Sequence, residues 1–344
     1  MDKKLGFACD YMKGAHPAII KRMSETNMME TTGYGRDEVT EEAREKIRKA
    51  CGCPDAKVEF LIGGTQTNAV MVDAFLRSYQ GVIAADTGHI SIHEAGAIEA
   101  SGHKVITLPH REGKISAAQV REYLEDFYKD DSHEHMVMPG MIYLSQPTEY
   151  GTLYTLEELK AFRQVCDDYD IPLYVDGARL AYALGCPDND VTLKDLTQLF
   201  DAFYIGGTKC GALLGEAVVI PDPDALPHLF TIIKQHGALL AKGRLLGVQF
   251  SELFSGDLYF EIGKHAIAAA GRIKKALKEK GYSLKIDSPT NQIFCIMENE
   301  YLKEFGEKVA YTFWEKYDDS HTVIRLATDW GTADADVDAL IDIL

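Results

Sequence analysis

The chain has 344 residues, a length that suits one large domain and one smaller one. It is 46% hydrophobic and 26% charged, as expected of a globular protein with a substantial core. Its 36 basic residues against 53 acidic ones give a net charge of −17, which disfavours nucleic acid and anionic membrane as partners.

Residues 1–50 carry no strand of the main series and are expected to pack on the smaller domain or on a neighbouring subunit. From residue 58 onward, short apolar strands alternate with amphipathic helices. VEFLI (58–62) reads as a strand and 65–76 as a helix. GVIAAD (81–86) and HKVITL (103–108) read as strands on either side of a helical HEAGAIEA (93–100). Ser116 with Gln119, and Thr155 with Glu158, form capping-box patterns that start helices running to about Tyr128 and Tyr169. MIYLSQ (141–146) lies between them as a strand; IPLYVD (171–176), AFYIGG (202–207) and EAVVI (216–220) complete the series. Alternation of this kind predicts an α/β fold: a three-layer αβα large domain over 51–250, with a mostly parallel sheet covered on both faces. Further helices are expected at 223–236, 238–254 and 258–280, followed by NQIFCIM (291–297), a helix near 301–316 and TVIRLAT (322–328). These make a small α+β C-terminal domain over 251–344.

Seven scattered cysteines, Cys9, Cys51, Cys53, Cys166, Cys186, Cys210 and Cys295, argue for a reducing compartment rather than a disulfide framework. The first residues hold no apolar run of signal-peptide length, and no stretch approaches the roughly 20 apolar residues of a membrane span. A cytoplasmic protein is expected.

In open α/β sheets ligands bind beyond the carboxyl ends of the strands, and four motifs follow predicted strands. GGTQTN (63–68) places glycines and a helix N-terminus where an anion such as phosphate can sit, although a plain strand-to-helix turn would look the same. DTGHISIHE (86–94) brings His89, which could stack on a planar cofactor or move protons. His89 and His93 also have the i,i+4 spacing of a metal site, but lack the HExxH order; His93 reads as structural and no metal is expected. DGAR (176–179) ends a strand with Asp176, suited to pair with a protonated ring nitrogen, or equally to form a buried ion pair with Arg179. GGTKCG (206–211) holds Lys209 between small residues, as a lysine bonded to a flat cofactor would be. The apolar flanks AFYI and ALLG weaken the alternative of a lysine on an exposed turn. Phosphate loop, stacking His, ring-nitrogen Asp and Schiff-base Lys, in that order, make a pyridoxal phosphate (PLP) site laid along one sheet, with Asp176 and Lys209 33 positions apart.

Together these segments resemble the fold-type I PLP enzymes, and within them the threonine aldolase / β-eliminating lyase family. FACDYMKGAHPAI (7–19), GYGRDE (33–38), GHISIHEAGAIEASGHKV (88–105), YVDGARLAYAL (174–184), YIGGTKCGALLGE (204–216) and KQHGALLAKGRLLG (234–247) carry the likeness over nearly the whole chain. The resemblance implies that Lys209 forms the Schiff base, Asp176 pairs with the pyridine nitrogen, and His89 stacks on the ring and, itself or through a water it orients, takes the proton of the substrate hydroxyl. It further implies that Gly64, Thr65 and Gln66, helped by Thr208, hold the phosphate, and that Arg179 and Arg325 bind the substrate carboxylate. It also implies a homodimer or homotetramer with Tyr34 approaching the site, from the partner subunit if not from its own chain. The expected activity is cleavage of L-threonine or L-allo-threonine, an amino acid substrate, to glycine and an aldehyde. β-Elimination, transamination and a PLP-binding protein without catalysis are the competing readings. The sequence departs from the family where Cys9-Asp10 replaces Ser-Asp at the substrate carboxylate and where SQPTEYGT (145–152) replaces an Asn-rich loop. The family's arginine near the phosphate has no clear match, with Lys234, Lys242 and Arg244 as candidates.

Overall fold

The computed structural model describes residues 4–344, so the first three residues of the expected N-terminal segment lie outside it. The chain opens with β1 (Leu5–Gly6) and then builds a seven-stranded sheet. Its strands are β2 (Lys57–Leu61), β3 (Gln80–Ala85), β4 (Lys104–Leu108), β5 (Met138–Ser145), β6 (Leu173–Asp176), β7 (Ala202–Gly206) and β8 (Glu216–Ile220). Their spatial order is β2-β8-β7-β6-β5-β3-β4. β8 runs antiparallel to both its neighbours, β2 and β7, and the remaining pairs are parallel.

A sheet covered on both faces needs apolar residues at successive positions. β6, β7 and β8 are buried at every residue. Alternate side chains divide between two cores. Ile142, Leu173, Val175, Phe203 and Ile205 enter one, while Met141, Tyr143, Tyr174, Ala202 and Tyr204 enter the other. Helices Ala117–Lys129 and Leu156–Tyr169 start at the expected capping boxes, with both reciprocal hydrogen bonds made in each. A third box, Thr192 with Asp195, starts the helix Leu193–Leu199.

The C-terminal part contains β9 (Leu284–Ile286), β10 (Gln292–Glu298), β11 (Val309–Ala310), β12 (Thr312–Lys316) and β13 (His321–Ala327). Four of these form an antiparallel sheet in the order β12-β13-β10-β9, while β11 pairs in parallel with β1. The helix Leu258–Glu279 leads into this part and crosses the Leu180–Leu184 helix closely. A Cβ on Gly263 would lie 2.0 Å from the Ala181 carbonyl oxygen, so only glycine permits the crossing.

Several expected helices are shorter than the sequence suggests, among them 238–254, which is helical only from Arg244 to Leu253. HEAGAIEA is broken by Ala95 and Gly96, both in the left-handed region (φ 51° and 73°), leaving one-turn helices His89–Ile92 and Ala97–Ala100. The helix expected over 301–316 ends at Lys308, because the β-branched and aromatic run that follows pairs as strands β11 and β12. The stretch 223–236 is helical only from Leu229 to Gln235.

Candidate active site

Asp176 is the last residue of β6 and lies opposite Ser145, the last of β5. Three tyrosines, Tyr143, Tyr174 and Tyr204, stand side by side on β5, β6 and β7, with neighbouring ring centroids 6.1 and 6.5 Å apart. Their hydroxyls all point toward the end of the sheet where Asp176 sits. Tyr143 and Tyr204 donate to the Asp176 carboxylate at 2.6 and 2.5 Å. Asn68 Nδ2 and the Ala178 N–H donate to it at 3.0 Å each. Burial acts to raise the pKa of this carboxyl, but nearby His89 and the two phenol donors outweigh it and hold it below the ordinary value. The cluster thus keeps a buried carboxylate ionised, as pairing with a protonated ring nitrogen requires.

Asn68 extends the network. Its Nδ2 also donates to Glu94 Oε1 at 2.7 Å, and its Oδ1 accepts from Tyr174 at 3.1 Å. Glu94 Oε1 in turn lies 2.7 Å from His89 Nδ1. Since a carboxylate only accepts, His89 carries its proton on Nδ1 toward Glu94, and the imidazole plane is fixed. The His89 backbone N–H donates to Glu149 at 2.9 Å.

Lys209 follows β7 on a turn. No acceptor among the described residues binds its amine, and burial and the neighbouring Arg179 lower its pKa despite the carboxylates of Asp10, Asp176 and Glu216. A desolvated amine of lowered pKa is the form that attacks an aldehyde carbonyl. The glycines at the two strand ends also have a packing role. A Cβ on Gly206 would lie 2.3 Å from the Ala178 oxygen, and one on Gly177 1.9 Å from the Tyr204 oxygen. They allow two adjacent strand-end turns to pack backbone to backbone, which sets Asp176 and Lys209 side by side.

Two adjoining cavities share these residues. The inner one, of about 260 Å³, is lined by Gly64, Thr65, Asp176, Thr208 and Lys209. The outer one, of about 470 Å³, is lined by His93, Tyr150, Phe313, Trp314 and Arg325. Tyr11, His89, Glu149, Arg179 and Lys209 line both. The helix Gly64–Phe75 meets the inner cavity at its N-terminus, where no side chain caps its free N–H groups.

The expected residues are not all equivalent. Gln66 does not line the inner cavity; its Oε1 accepts from the Ile62 N–H at 3.4 Å. Thr208 lines it, but its hydroxyl accepts the Gly215 N–H at 3.0 Å. His93 caps the one-turn helix His89–Ile92 and also lines the outer cavity. Arg179 forms a buried ion pair, but with Asp10 rather than with Asp176 of its own motif, through Nε and Nη2 at 2.6 and 3.0 Å. Arg325 makes no ion pair with the described residues: Nη2 lies 3.3 Å from Cys9 Sγ, Nη1 lies 3.2 Å from Gln292 Oε1, and Nε is buried without a partner. Of the two guanidinium groups, it is Arg325 that remains available to an anion. Tyr34 lies outside both cavities, with Lys234 over its ring at 4.9 Å, and Arg244 binds the Met29 carbonyl. Sequence reasoning missed Asn68, Glu94, Tyr143, Tyr204 and Glu216. Glu94 stood within a quoted motif, and an acidic residue five positions after a functional His was a usable signal.

The donor set fits PLP: an amine without a partner, an ionised carboxylate, a fixed imidazole and an open helix N-terminus converge on one cavity. Residues 7–299 match the Beta-eliminating lyase family. The chain belongs to that family. Its relatives include the low specificity L-threonine aldolase of Pseudomonas aeruginosa, 30% identical over 316 residues that cover 89% of each chain. The structure of a Leishmania major threonine aldolase is 41% identical, with a TM-score of 0.95 over 98% of each chain. An aspartate aminotransferase variant from Thermus thermophilus, 14% identical with a TM-score of 0.70, shares the fold. The lyase family and these neighbours establish the fold-type I architecture.

Asp10 is the structural partner in this lyase on which a stability prediction rests. Burial acts to raise its pKa, but Arg179 and Lys209 hold it at about 2, against 3.8 for a free side chain. A depressed carboxyl stabilises the fold above its unfolded pKa and loses that contribution as pH falls through the folded value. Asp10→Asn is expected to cost about 3–5 kcal/mol at pH 7, because it leaves a buried guanidinium unpaired. Urea unfolding should show this deficit shrinking between pH 4 and pH 2; a deficit constant over that range would contradict the assignment.

Proposed function

We propose that the protein cleaves L-threonine, L-allo-threonine and related β-hydroxy-α-amino acids to glycine and an aldehyde, using PLP. The observation that carries this reading is the convergence of Lys209, Asp176 and His89 on the inner cavity, with the unpaired Arg325 on the adjoining one. The likeness to threonine aldolases supports it.

When bound, PLP supplies an electron sink for the pair released from a bond at the substrate Cα. Lys209 holds it covalently through its amine, and Asp176 supports the protonated ring nitrogen. The N–H groups at the start of the helix Gly64–Phe75, with the Thr65 side chain, hold the phosphate. The Glu94 carboxylate keeps His89 in one orientation, so the imidazole face can lie against the ring. Arg325 binds the substrate carboxylate and so sets which bond at Cα stands perpendicular to the ring. That choice separates aldol cleavage from other reactions on the same apparatus. Trp314, 5.4 Å from the guanidinium, limits its side-chain freedom.

A homo-oligomer is part of the proposal. Met28, Met29, Tyr34, Ile62, Ile92 and Leu213 are exposed, and among the described residues Lys209 and Arg179 are the only lysine and arginine lining the inner cavity. A second copy that brings Tyr34 and a basic residue to the phosphate end of that cavity completes the site. No helix of the described residues is long and apolar enough to cross a membrane, and the proposed setting is the cytoplasm.

The test is aldehyde release from L-threonine and L-allo-threonine by PLP-loaded protein. Release from either supports the reading. A protein that takes up PLP but releases no aldehyde rules out threonine cleavage. Arg325→Ala is expected to raise KM about 10- to 100-fold, the loss of one charge-assisted pair, with a smaller change in kcat. Steady-state kinetics with L-threonine measure this split.

A further inference from the structure

Five side chains line both cavities, and the reacting carbons of a substrate must sit where the two meet. Lys209 is committed to the cofactor. Arg179 is tied to Asp10 at 2.6 Å and cannot accept a proton. Tyr11 is held in its phenol form, its pKa raised by a hydrogen bond with Cys9 and by burial, and so donates rather than accepts. His89 gives Nδ1 to Glu94 at 2.7 Å and is assigned to the cofactor ring by the reading above. Glu149 is the fifth.

The Glu149 carboxyl is asymmetric in its contacts. Oε1 accepts two hydrogen bonds, from the Ser145 hydroxyl at 2.8 Å and from the His89 N–H at 2.9 Å. Oε2 has no partner among the described residues, and the side chain is not fully buried. One oxygen is therefore anchored to the framework while the other is left for a ligand. Resting on the amino-acid cleavage read above, we propose that Glu149 is the base that takes the β-hydroxyl proton, with Oε2 as the accepting atom. As the O–H pair becomes the second bond of the aldehyde carbonyl, the Cα–Cβ bond breaks and its electron pair passes to the cofactor's sink. One proton is returned at Cα to give glycine, so Glu149 ends each turnover ionised, as it began.

The surroundings suit this role. Burial and the Asp176 carboxylate raise the Glu149 pKa, opposed by the Ser145 hydroxyl and by His89. A carboxylate whose pKa is raised is a stronger base than a free one. The titratable groups facing it include His89 from the one-turn helix, Asp176 from β6, Tyr143 from β5 and Tyr154, with Tyr11, Arg179 and Lys209 across the cavities.

Glu149→Gln tests the assignment, because the amide oxygen can keep both anchoring hydrogen bonds. Three quantities are compared with wild type on PLP-loaded protein: aldehyde release from L-threonine, the visible absorbance of the bound cofactor, and the glycine affinity read from its change. Glycine has no hydroxyl, so its binding does not need the base. The expected result is a loss of kcat of about 10²-fold or more, with cofactor absorbance and glycine affinity within threefold of wild type. The acid limb of the wild-type rate profile, where activity falls as pH drops through the raised carboxyl pKa, should be absent from the variant. A variant that releases aldehyde within threefold of wild type overturns the proposal. So does one that loses cofactor absorbance or glycine binding in proportion to its rate, which marks a structural role. A wild-type protein that releases no aldehyde overturns the underlying reading as well, and the wild-type arm alone reports that.

Discussion

Lys209→Ala is expected to reduce aldehyde release by about 10³-fold or more while leaving the protein folded. The amine makes no hydrogen bond with the described residues, and burial already disfavours its charged form. Its removal therefore breaks no hydrogen bond, and the desolvation cost it relieves opposes the lost attraction to Asp10, Asp176 and Glu216. Under the proposed function, what is lost is the covalent hold on PLP and the nucleophile that returns to release product. Gel filtration should strip PLP from the variant more readily than from wild type, and circular dichroism should show unchanged secondary structure. A variant that retains more than about a tenth of wild-type activity would show that another group holds the cofactor.

Asp176→Asn has two separable effects. The carboxylate accepts four hydrogen bonds, two at each oxygen. Replacing one oxygen with an amide places donor against donor at two of them, within a cluster that is fully enclosed. Each buried donor left without an acceptor costs about 1–3 kcal/mol, so the unfolding free energy should fall by about 2–5 kcal/mol. The second effect is on the chemistry. A neutral amide cannot hold a pyridine nitrogen protonated, and kcat should fall about 10²- to 10³-fold, the scale of other lost transition-state electrostatic partners. Denaturation measured without PLP isolates the first effect, and kinetics at saturating PLP isolate the second. Normal stability with normal kcat would place the ring nitrogen elsewhere.

The strand series was readable because a sheet buried on both faces is written as short apolar runs, such as EAVVI, whose five residues coincide with β8. Caps were readable because Ser116 with Gln119 and Thr155 with Glu158 are local, three-residue signals. The direction of β8 was not, since a strand carries the same pattern whichever way it runs. Nor was the helix-to-strand change after Lys308, where propensity and strand pairing had to be weighed together. At the site, residues just after strands were found because topology places them at one edge. Asn68, Tyr143 and Tyr204 were missed because each looks like an ordinary core or helix residue until Asp176 is placed among them. The reading of Arg179 was incomplete for the same reason: Asp10 lies 169 positions away in the chain.

Cys9 and Asp10 are consecutive residues, yet they serve different guanidinium groups: Cys9 touches Arg325, on β13, and Asp10 holds Arg179, beside β6. The preceding residues are bound to the C-terminal part, through β1 on β11 and through the Ala327 N–H to the Phe7 oxygen. The following ones are bound to the large sheet's edge, with the His16 N–H donating to the Gly211 oxygen. One peptide unit, with its fixed Cα spacing of about 3.8 Å, therefore acts as a ruler between the two arginines. The two sheets can shift against each other only if this ruler stretches or tilts. Lengthening it by a single inserted residue would move Arg325 relative to Lys209 and Asp176 without substituting any residue of either cavity.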